Sequence, residues 1–138
     1  MIDLVAGADL PSITKTITQQ NINRYAEASK DFNPIHIDPD FARKTPLGGT
    51  IAHGMLVLAY ISQLMTEAFG NNWLTGGNMG VRFKSPARPG DTLTVSGKID
   101  GIDRQDGAAV VTCQVQCCNQ KGEIIINGDA RVKITTNN

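Results

Sequence analysis

The sequence predicts an α+β fold in which an antiparallel sheet wraps around one long buried helix. Between residues 53 and 69 apolar residues cover most of the circumference of a helix, which is typical of a helix buried on nearly all sides. After residue 80 apolar and polar residues alternate, as they do in strands with one apolar face. Turn signals at Asp106-Gly107 and Lys121-Gly122 join these strands into hairpins. Wrapping the sheet around the helix is the simplest way to bury both apolar surfaces.

Length and composition indicate a single domain that covers residues 1–138. Of the 138 residues 41% are hydrophobic, and no repeat or linker interrupts them, which excludes a disordered or low-complexity protein. The 13 basic and 13 acidic residues give a formal net charge of zero. We therefore expect no general binding to nucleic acid, because that binding needs a basic excess.

The N-terminal half is predicted to contain one short strand and mainly helices. Residues 12–18 alternate as in a strand, and Thr18 is a suitable N-cap for a helix over residues 19–29. Pro34 ends any helix and forces an extended residue before it. Asp38-Pro39 then begins a short helical turn that reaches residue 44.

The C-terminal half is predicted to form a four-stranded antiparallel meander after the long helix, which ends at Gly70-Asn71-Asn72. We expect a bulge in the last strand at Asn127-Gly128. An open sheet leaves an edge strand that needs cover, and we therefore expect a homodimer. The predicted strands include residues 81–84, 93–99, 111–117 and 123–134.

Three cysteines, Cys113, Cys117 and Cys118, are too few and too close together for a disulfide framework, and they lack the spacing of a zinc site. We interpret them as reduced thiols of a cytoplasmic protein, with Cys113 and Cys117 on one strand face in the core. The first residues carry an acid where a signal peptide has basic residues. The longest apolar run, residues 55–61, is far shorter than the roughly 20 residues of a membrane span, so we expect no membrane partner.

The segment Asp31–Asp40 is the densest polar stretch, and metal binding fits it poorly. As a calcium loop it has His36 where glycine is required and Ala42 where a bidentate glutamate is required. A zinc site from Asp31, His36 and His53 lacks the usual ligand spacing. We therefore expect no metal.

A general acid–base pair is the stronger catalytic interpretation of the same segment. The turn at Pro34 can bring the Asp31 carboxylate and the His36 imidazole onto one water molecule, although five residues separate them. Composition and spacing alone slightly favour structural roles for these side chains over catalytic ones. In that alternative Asp31 and Asn33 cap loop amides and His36 is a surface histidine.

Three motifs resemble a known family. They are residues 25–42 (YAEASKDFNPIHIDPDFA), residues 51–55 (IAHGM) and residues 81–91 (VRFKSPARPGD). Together they are similar to the MaoC-like, R-specific enoyl-CoA hydratases, also called hydratase 2. The resemblance implies a hot-dog fold that works as a dimer or higher oligomer. It also implies addition of water across a trans-2-enoyl-CoA to give an (R)-3-hydroxyacyl-CoA, with no cofactor beyond the CoA of the substrate. Fatty-acid metabolism and the supply of polyhydroxyalkanoate precursors both use this chemistry.

The resemblance also implies a role for each matching residue. Asp31 would be the base toward the water, and His36 would orient that water and help to return a proton to C2. Asn33 would support the loop that carries the pair. The Gly54 backbone N–H would bind the thioester oxygen at a helix N-terminus, where free N–H groups meet the positive end of the helix dipole. Ser62 would lie near the carboxylate, or would instead bond its own helix carbonyl.

Two positions near these motifs need separate comment. The family usually has glycine before the catalytic aspartate, whereas this chain has Lys30. Lysine is costly there if the backbone is left-handed. His53 could approach the thioester, but we expect it to be structural.

Scattered cations are candidates for contacts with the CoA phosphates, namely Arg82, Lys84 and Arg88, with Arg43 and Lys44 as further candidates. Two alternative functions remain at this point. An acyl-CoA thioesterase of the same fold would need a carboxylate on the buried helix, and Glu67 is the candidate there. A non-catalytic subunit that binds acyl thioesters would have no chemical need for Asp31, Asn33 and His36.

Overall fold

The computed structural model describes residues 4–135. The predicted domain covers residues 1–138, and its residues 1–3 and 136–138 lie outside the described range. In the described range the chain forms five helices and five strands in an α+β arrangement. The helices are α1 Gln19–Ser29, α2 Pro34–Ile37, α3 Pro39–Arg43, α4 Gly54–Phe69 and α5 Asn71–Gly76. The strands are β1 Ile13–Thr16, β2 Gly77–Phe83, β3 Thr92–Gln105, β4 Ala108–Cys118 and β5 Ile124–Thr135.

One antiparallel sheet of order β1-β3-β4-β5-β2 contains all five strands. The hairpins β3–β4 and β4–β5 are confirmed, but the prediction of a four-stranded meander is wrong, because β2 pairs with β5 and not with β3. β1 occupies the other side of β3, with Ile13 opposite Val95. The chain must pass β5 and β4 between the end of β2 and the start of β3, a distance of about 14 Å across the sheet. The connection over residues 84–91 is long enough, since eight extended residues reach roughly 26 Å.

The expected bulge at Asn127-Gly128 is absent. Gly128 pairs in register with Val115 on one side and Val81 on the other. A Cβ on Gly128 would lie 2.1 Å from the Gly80 carbonyl oxygen. The apolar pattern is therefore interrupted there because two strands approach closely, not because a residue is inserted. The register shifts lie elsewhere, after Ile99 in β3 and after Cys117 in β4.

Helix α4 packs across β3, β4 and β5 and forms the centre of the core. Its buried side consists of Val57, Ile61, Leu64 and Met65, each no more than 2% exposed. The expectation of burial on nearly all sides is wrong for the protomer, because Met55 is 59% exposed. The chain continues from Gly70 directly into the short helix α5 where a loop was predicted.

The cysteines lie where the strand pattern predicts. Cys113 and Cys117 are buried on the face of β4 that packs on α4, and all three cysteines are free. Burial raises the pKa of the Cys113 thiol to about 11 and that of Cys117 to about 12. Both side chains therefore remain neutral thiols that behave as small core hydrophobes. None of the helices between residues 4 and 135 has the length and apolar character that a membrane crossing requires.

The turn after α1 positions the polar segment that follows. The Thr18 side chain caps α1 by accepting from the Asn21 N–H. At the other end Lys30 adopts the left-handed conformation, with φ 63° and ψ 23°. Lys30 stands where the family that the sequence resembles usually has glycine, and it therefore has the backbone conformation that glycine adopts most easily.

We predict that Lys30→Gly raises the free energy of unfolding by about 0.5–1 kcal/mol, because glycine avoids the clash of Cβ with the backbone in the left-handed region. Urea denaturation measures this gain. Lys30→Ala is the matched control, since it removes the charge and keeps the Cβ, and it should bring no gain. Equal stabilisation by both variants would contradict the conformational explanation.

Candidate active site

A series of side-chain caps shapes the loop that follows Lys30. Asp31 Oδ1 accepts from the Asn33 N–H at 3.2 Å, and Asn33 Oδ1 accepts from the Ile35 N–H at 3.2 Å. Asn33 is thereby the N-cap of α2, whose first residue is Pro34. Asp38 caps α3 in the same way by accepting from two backbone N–H groups. These short-range caps shape the loop, and the second Asp31 oxygen accepts no hydrogen bond from residues 4–135.

The backbone around Ile51 fixes the orientation of His36. The imidazole is buried, with 8% of the residue exposed, and its Nδ1 lies 2.8 Å from the Ile51 carbonyl oxygen. A carbonyl can only accept, so we assign the proton to Nδ1. Nε2 then carries a lone pair and can accept a proton or a hydrogen bond. The expectation of a surface histidine does not describe this ring.

Asp31 and His36 lie close enough together to share one water molecule. A carboxylate oxygen of Asp31 and a ring nitrogen of His36 lie within 4.8 Å of each other. Within residues 4–135 the hydrogen bonds of these two side chains go to the backbone of Asn33 and Ile51, and no direct bond joins them. Two groups that each bond one water at about 2.8 Å, with a tetrahedral angle between them, are about 4.6 Å apart. The turn at Pro34 thus brings the predicted acid–base pair together.

Gln19 and Thr50 are residues that sequence reasoning missed. Gln19 Nε2 donates to the His36 carbonyl oxygen at 2.7 Å, and the Thr50 hydroxyl donates to Gln19 Oε1 at 2.7 Å. One side chain of α1 therefore ties α2 to the segment before α4. No local sequence signal marks this contact, because 31 residues separate Gln19 from Thr50.

His53 lies directly against the acid–base pair. Its ring stacks on His36 with centroids 3.9 Å apart and 25° between the planes, and Tyr25 packs on it at 4.9 Å. His53 Nε2 lies 3.0 Å from the Asp31 backbone carbonyl and donates to it. His53 Nδ1 is buried without a hydrogen-bond partner among the described residues. Leaving such an acceptor unpaired costs about 1–3 kcal/mol.

Asp31, His36 and His53 also form the donor set that a zinc site would use, with one ligand atom of each lying within 4.8 Å of the others. The stacking of the two imidazoles opposes such a site. Lone pairs on ring nitrogens lie in the ring planes, and two stacked rings with centroids 3.9 Å apart and 25° between their planes do not direct their lone pairs at one ion. This arrangement suits proton transfer better than metal coordination.

The N-terminus of α4 offers free hydrogen-bond donors beside this pair. His53 is the N-cap and makes no side-chain cap bond, while the Leu56 N–H bonds the His53 carbonyl. The N–H groups of Gly54 and Met55 therefore have no acceptor in residues 4–135. The helix dipole adds a partial positive charge at this end. A Cβ on Gly54 would lie 2.9 Å from the Phe83 ring, so glycine lets this ring pack against the start of α4 without a shift.

Ser62 lies two turns further along α4 and bonds a residue of α5. Its hydroxyl accepts from the Trp73 indole N–H at 3.0 Å. Within the described residues it makes no hydrogen bond with Asp31, and its hydroxyl does not bond its own helix carbonyl. Its supporting role in catalysis stays a prediction.

The three cations predicted to bind CoA lie in two places. Side chains alternate along β2, and because Phe83 points toward Gly54, Arg82 points to the opposite face of the sheet. Arg82 and Lys84 there line an open groove of about 860 Å³ that excludes the acid–base pair. Arg88 follows Ala87, whose carbonyl accepts from the Ala52 N–H. Of the three, Arg88 is the one next to the segment that leads into α4. The further candidate Arg43 pairs with Asp40.

The candidate carboxylate for a thioesterase is remote from this site. Glu67 is exposed and accepts from Gln63 on the same helix. It lies thirteen residues after Gly54, which is about 20 Å along an α-helix.

A sheet curved around one central helix is the hot-dog fold, and here it presents a carboxylate and an imidazole beside free N–H groups. Those features define a hot-dog protein with an acid–base site. Residues 6–120 match the family described as MaoC like domain, and the chain belongs to that family.

Several relatives of the chain are named as hydratases or dehydratases. The chain is 32% identical to an (R)-specific enoyl-CoA hydratase of Rhodospirillum rubrum over 89% of this chain and 83% of that one. It is 28% identical to a 3-hydroxybutyryl-CoA dehydratase of Methylorubrum extorquens over 88% and 76% of the two chains. The solved (R)-hydratase of Aeromonas caviae, described as involved in PHA biosynthesis, superposes with a TM-score of 0.82 at 26% identity, covering 94% and 96%. Both activities belong to hydro-lyases, which add or remove water.

Proposed function

We propose that this protein is an (R)-specific enoyl-CoA hydratase that adds water across a trans-2-enoyl-CoA to give the (R)-3-hydroxyacyl-CoA, and that it catalyses the reverse dehydration. The observation that carries the proposal is that a carboxylate oxygen of Asp31 and a ring nitrogen of His36 lie within 4.8 Å of each other. The free N–H of Gly54 and the hydratase relative at 32% identity support it.

In this mechanism the Asp31 carboxylate takes a proton from the water as the oxygen attacks C3 of the enoyl group. The C2–C3 double bond becomes an enolate whose charge develops on the thioester oxygen, and the Gly54 N–H binds that oxygen. One such donor is worth about 2.7–4 kcal/mol of the barrier. His36 accepts from the second O–H of the water at Nε2 and orients it. Asp31 then returns its proton to the new C3 oxygen while the other proton of that oxygen passes to His36 Nε2, and His36 delivers it to C2, so that all atoms of the water enter the product.

The reaction can be distinguished from hydrolysis in one assay with a short trans-2-enoyl-CoA. Hydration removes the absorbance of the conjugated thioester without releasing free thiol. Release of thiol would favour a thioesterase instead, and a constant absorbance with no thiol would favour a binding protein. The exposed position of Glu67, about 20 Å along the helix from Gly54, makes hydrolysis the weaker candidate.

We predict that Asp31→Asn and His36→Ala each lower kcat by about 100-fold or more, because each removes a positioned proton-transfer group. Asn at position 31 keeps the oxygen that accepts from the Asn33 N–H, so the loop should keep its conformation. Asp40→Asn, an exposed aspartate of the same segment, is the matched control and should leave kcat within twofold. Wild-type turnover in either site variant would refute the pair.

We also propose that Arg88 contributes to binding of the CoA phosphates, while Arg82 and Lys84 remain weaker candidates on the far face of the sheet. The expected effect of Arg88→Ala is a KM for enoyl-CoA raised roughly tenfold, since a phosphate contact supplies binding and not chemistry. An enoyl-pantetheine, which lacks the nucleotide phosphates, is the control substrate. If KM rises equally for both substrates, Arg88 does not contact the nucleotide.

We further propose that the protein works as a homodimer in the cytoplasm. β2 forms one end of the sheet, and Met55 and Phe83 beside it are 59% and 55% exposed. Pairing of this edge with a second copy would cover both the strand and these side chains. The three free cysteines fit a reducing compartment.

In sedimentation experiments we expect a mass of twice the 14.8 kDa of one chain. Met55→Glu should shift the equilibrium to the monomer, because a charge would be buried in the interface, while an acid in the first turn of α4 leaves the protomer folded. Val5→Glu alters another exposed apolar residue, 56% exposed, and should not change the mass. A wild-type monomer would contradict this part of the proposal.

A further inference from the structure

We infer that His53 is a positioning residue that holds Asp31 and His36 in register with the N-terminus of α4. The inference rests on the proposed function and extends it to a residue that the proton transfers do not use. His53 contacts both members of the pair, through a stack on the His36 ring and a hydrogen bond to the Asp31 carbonyl.

Stability does not account for a histidine at this position. The residue is 2% exposed, and its Nδ1 has no hydrogen-bond partner among residues 4–135. An unpaired acceptor in the interior destabilises the fold, whereas an apolar ring of similar size would fill the same space without that penalty. Unfavourable local features of this kind occur at functional sites.

Each contact of His53 fixes one catalytic group. Its Nε2–H bond to the Asp31 carbonyl holds the backbone from which the carboxylate extends, and that carboxylate is otherwise exposed. Its ring lies against His36, whose side chain makes one hydrogen bond within residues 4–135, from Nδ1 to the Ile51 carbonyl. The bond fixes one ring atom, and the stack limits tilting of the ring plane. Tyr25 packs on His53 in turn and limits its movement.

The position of His53 in the chain links Asp31 and His36 to the Gly54 N–H. His53 is the N-cap of α4, and the next residue is Gly54. A movement of His53 would therefore shift the oxyanion donor and the acid–base pair relative to each other. A misplacement of about 1 Å in such a geometry can lower the rate roughly 100-fold.

Two variants separate the contacts of His53. His53→Phe keeps the stacked ring and removes both nitrogens, while His53→Gln keeps an N–H donor near the Nε2 position and removes the ring. We expect kcat to fall roughly 10-fold to 100-fold in each, with KM for enoyl-CoA within twofold. The thermal midpoint of His53→Phe should stay close to that of the wild type, because the variant removes the unpaired Nδ1 together with the bond to the Asp31 carbonyl.

A core variant controls for stability alone. Ile61→Val shortens a side chain that is 0% exposed and belongs to the apolar core cluster, which includes neither Asp31 nor His36, so it should lower the thermal midpoint and leave kcat within twofold. Wild-type kcat in His53→Phe would overturn the inference. A loss of kcat in the His53 variants that follows the thermal midpoint, as in the control, would also overturn it.

A readout without substrate separates this inference from the proposed function. The chain has two histidines, so His36 gives the only imidazole signals in a His53 variant. Ring nitrogen NMR should show the Nδ1–H tautomer of His36 in His53→Phe and a shift toward the mixture of tautomers in His53→Gln. If the wild type hydrates no enoyl thioester, the proposed function fails. The NMR comparison still tests whether His53 positions the His36 ring. An unchanged His36 spectrum in His53→Gln would overturn the positioning role of the stack.

Discussion

The arrangement of the site depends on the hydrogen bonds of the four residues that precede and begin α4. The Ile51 N–H donates to the Ile35 carbonyl, and the Ile51 carbonyl accepts from the His36 ring. The Ala52 N–H bonds the Ala87 carbonyl, which anchors the segment beside the turn after β2. His53 and Gly54 complete it. Because α4 is fixed in the core by the sheet, this segment also fixes the position of the polar loop that carries Asp31 relative to the core.

The protomer supplies the polar part of the site more completely than the apolar part. Asp31 and the N–H groups of α4 lie at the surface, and Phe32, Met55 and Phe83 are each at least 50% exposed. Hydrogen bonds to a developing oxyanion are worth most where water is excluded. An acyl chain of the proposed substrate would need an apolar wall, and these exposed side chains do not provide a closed one within residues 4–135. The exposed side of α4 and the edge of β2 therefore matter for catalysis as well as for assembly, because covering them would also exclude water from the site.

The sequence predicts local features well because their causes are local. Thr18 caps α1, the glycine after α4 ends it, and the turn at Pro34 brings Asp31 to His36, all through contacts within a few residues. The placement of β2 beside β5 was not predictable, since hairpin signals identify neighbours only across short connections. The contact of Gln19 with Thr50 and the choice of the Ile51 carbonyl as partner of His36 depend on packing between distant segments. A helix that is apolar all round likewise does not reveal whether its cover comes from its own sheet or from another chain.

Two unfavourable features meet at Asp31, and their coincidence indicates what the fold maintains there. Lys30, directly before it, has a left-handed backbone that favours glycine, and His53, bonded to its carbonyl, buries an unpaired nitrogen. Each lowers stability by an amount of the order of 1 kcal/mol or more. The core around α4, with its run of fully buried aliphatic side chains, can sustain both costs. Because both features act on the backbone of the same residue, the position of the Asp31 carboxylate is the property that the surrounding structure holds fixed at the expense of local stability.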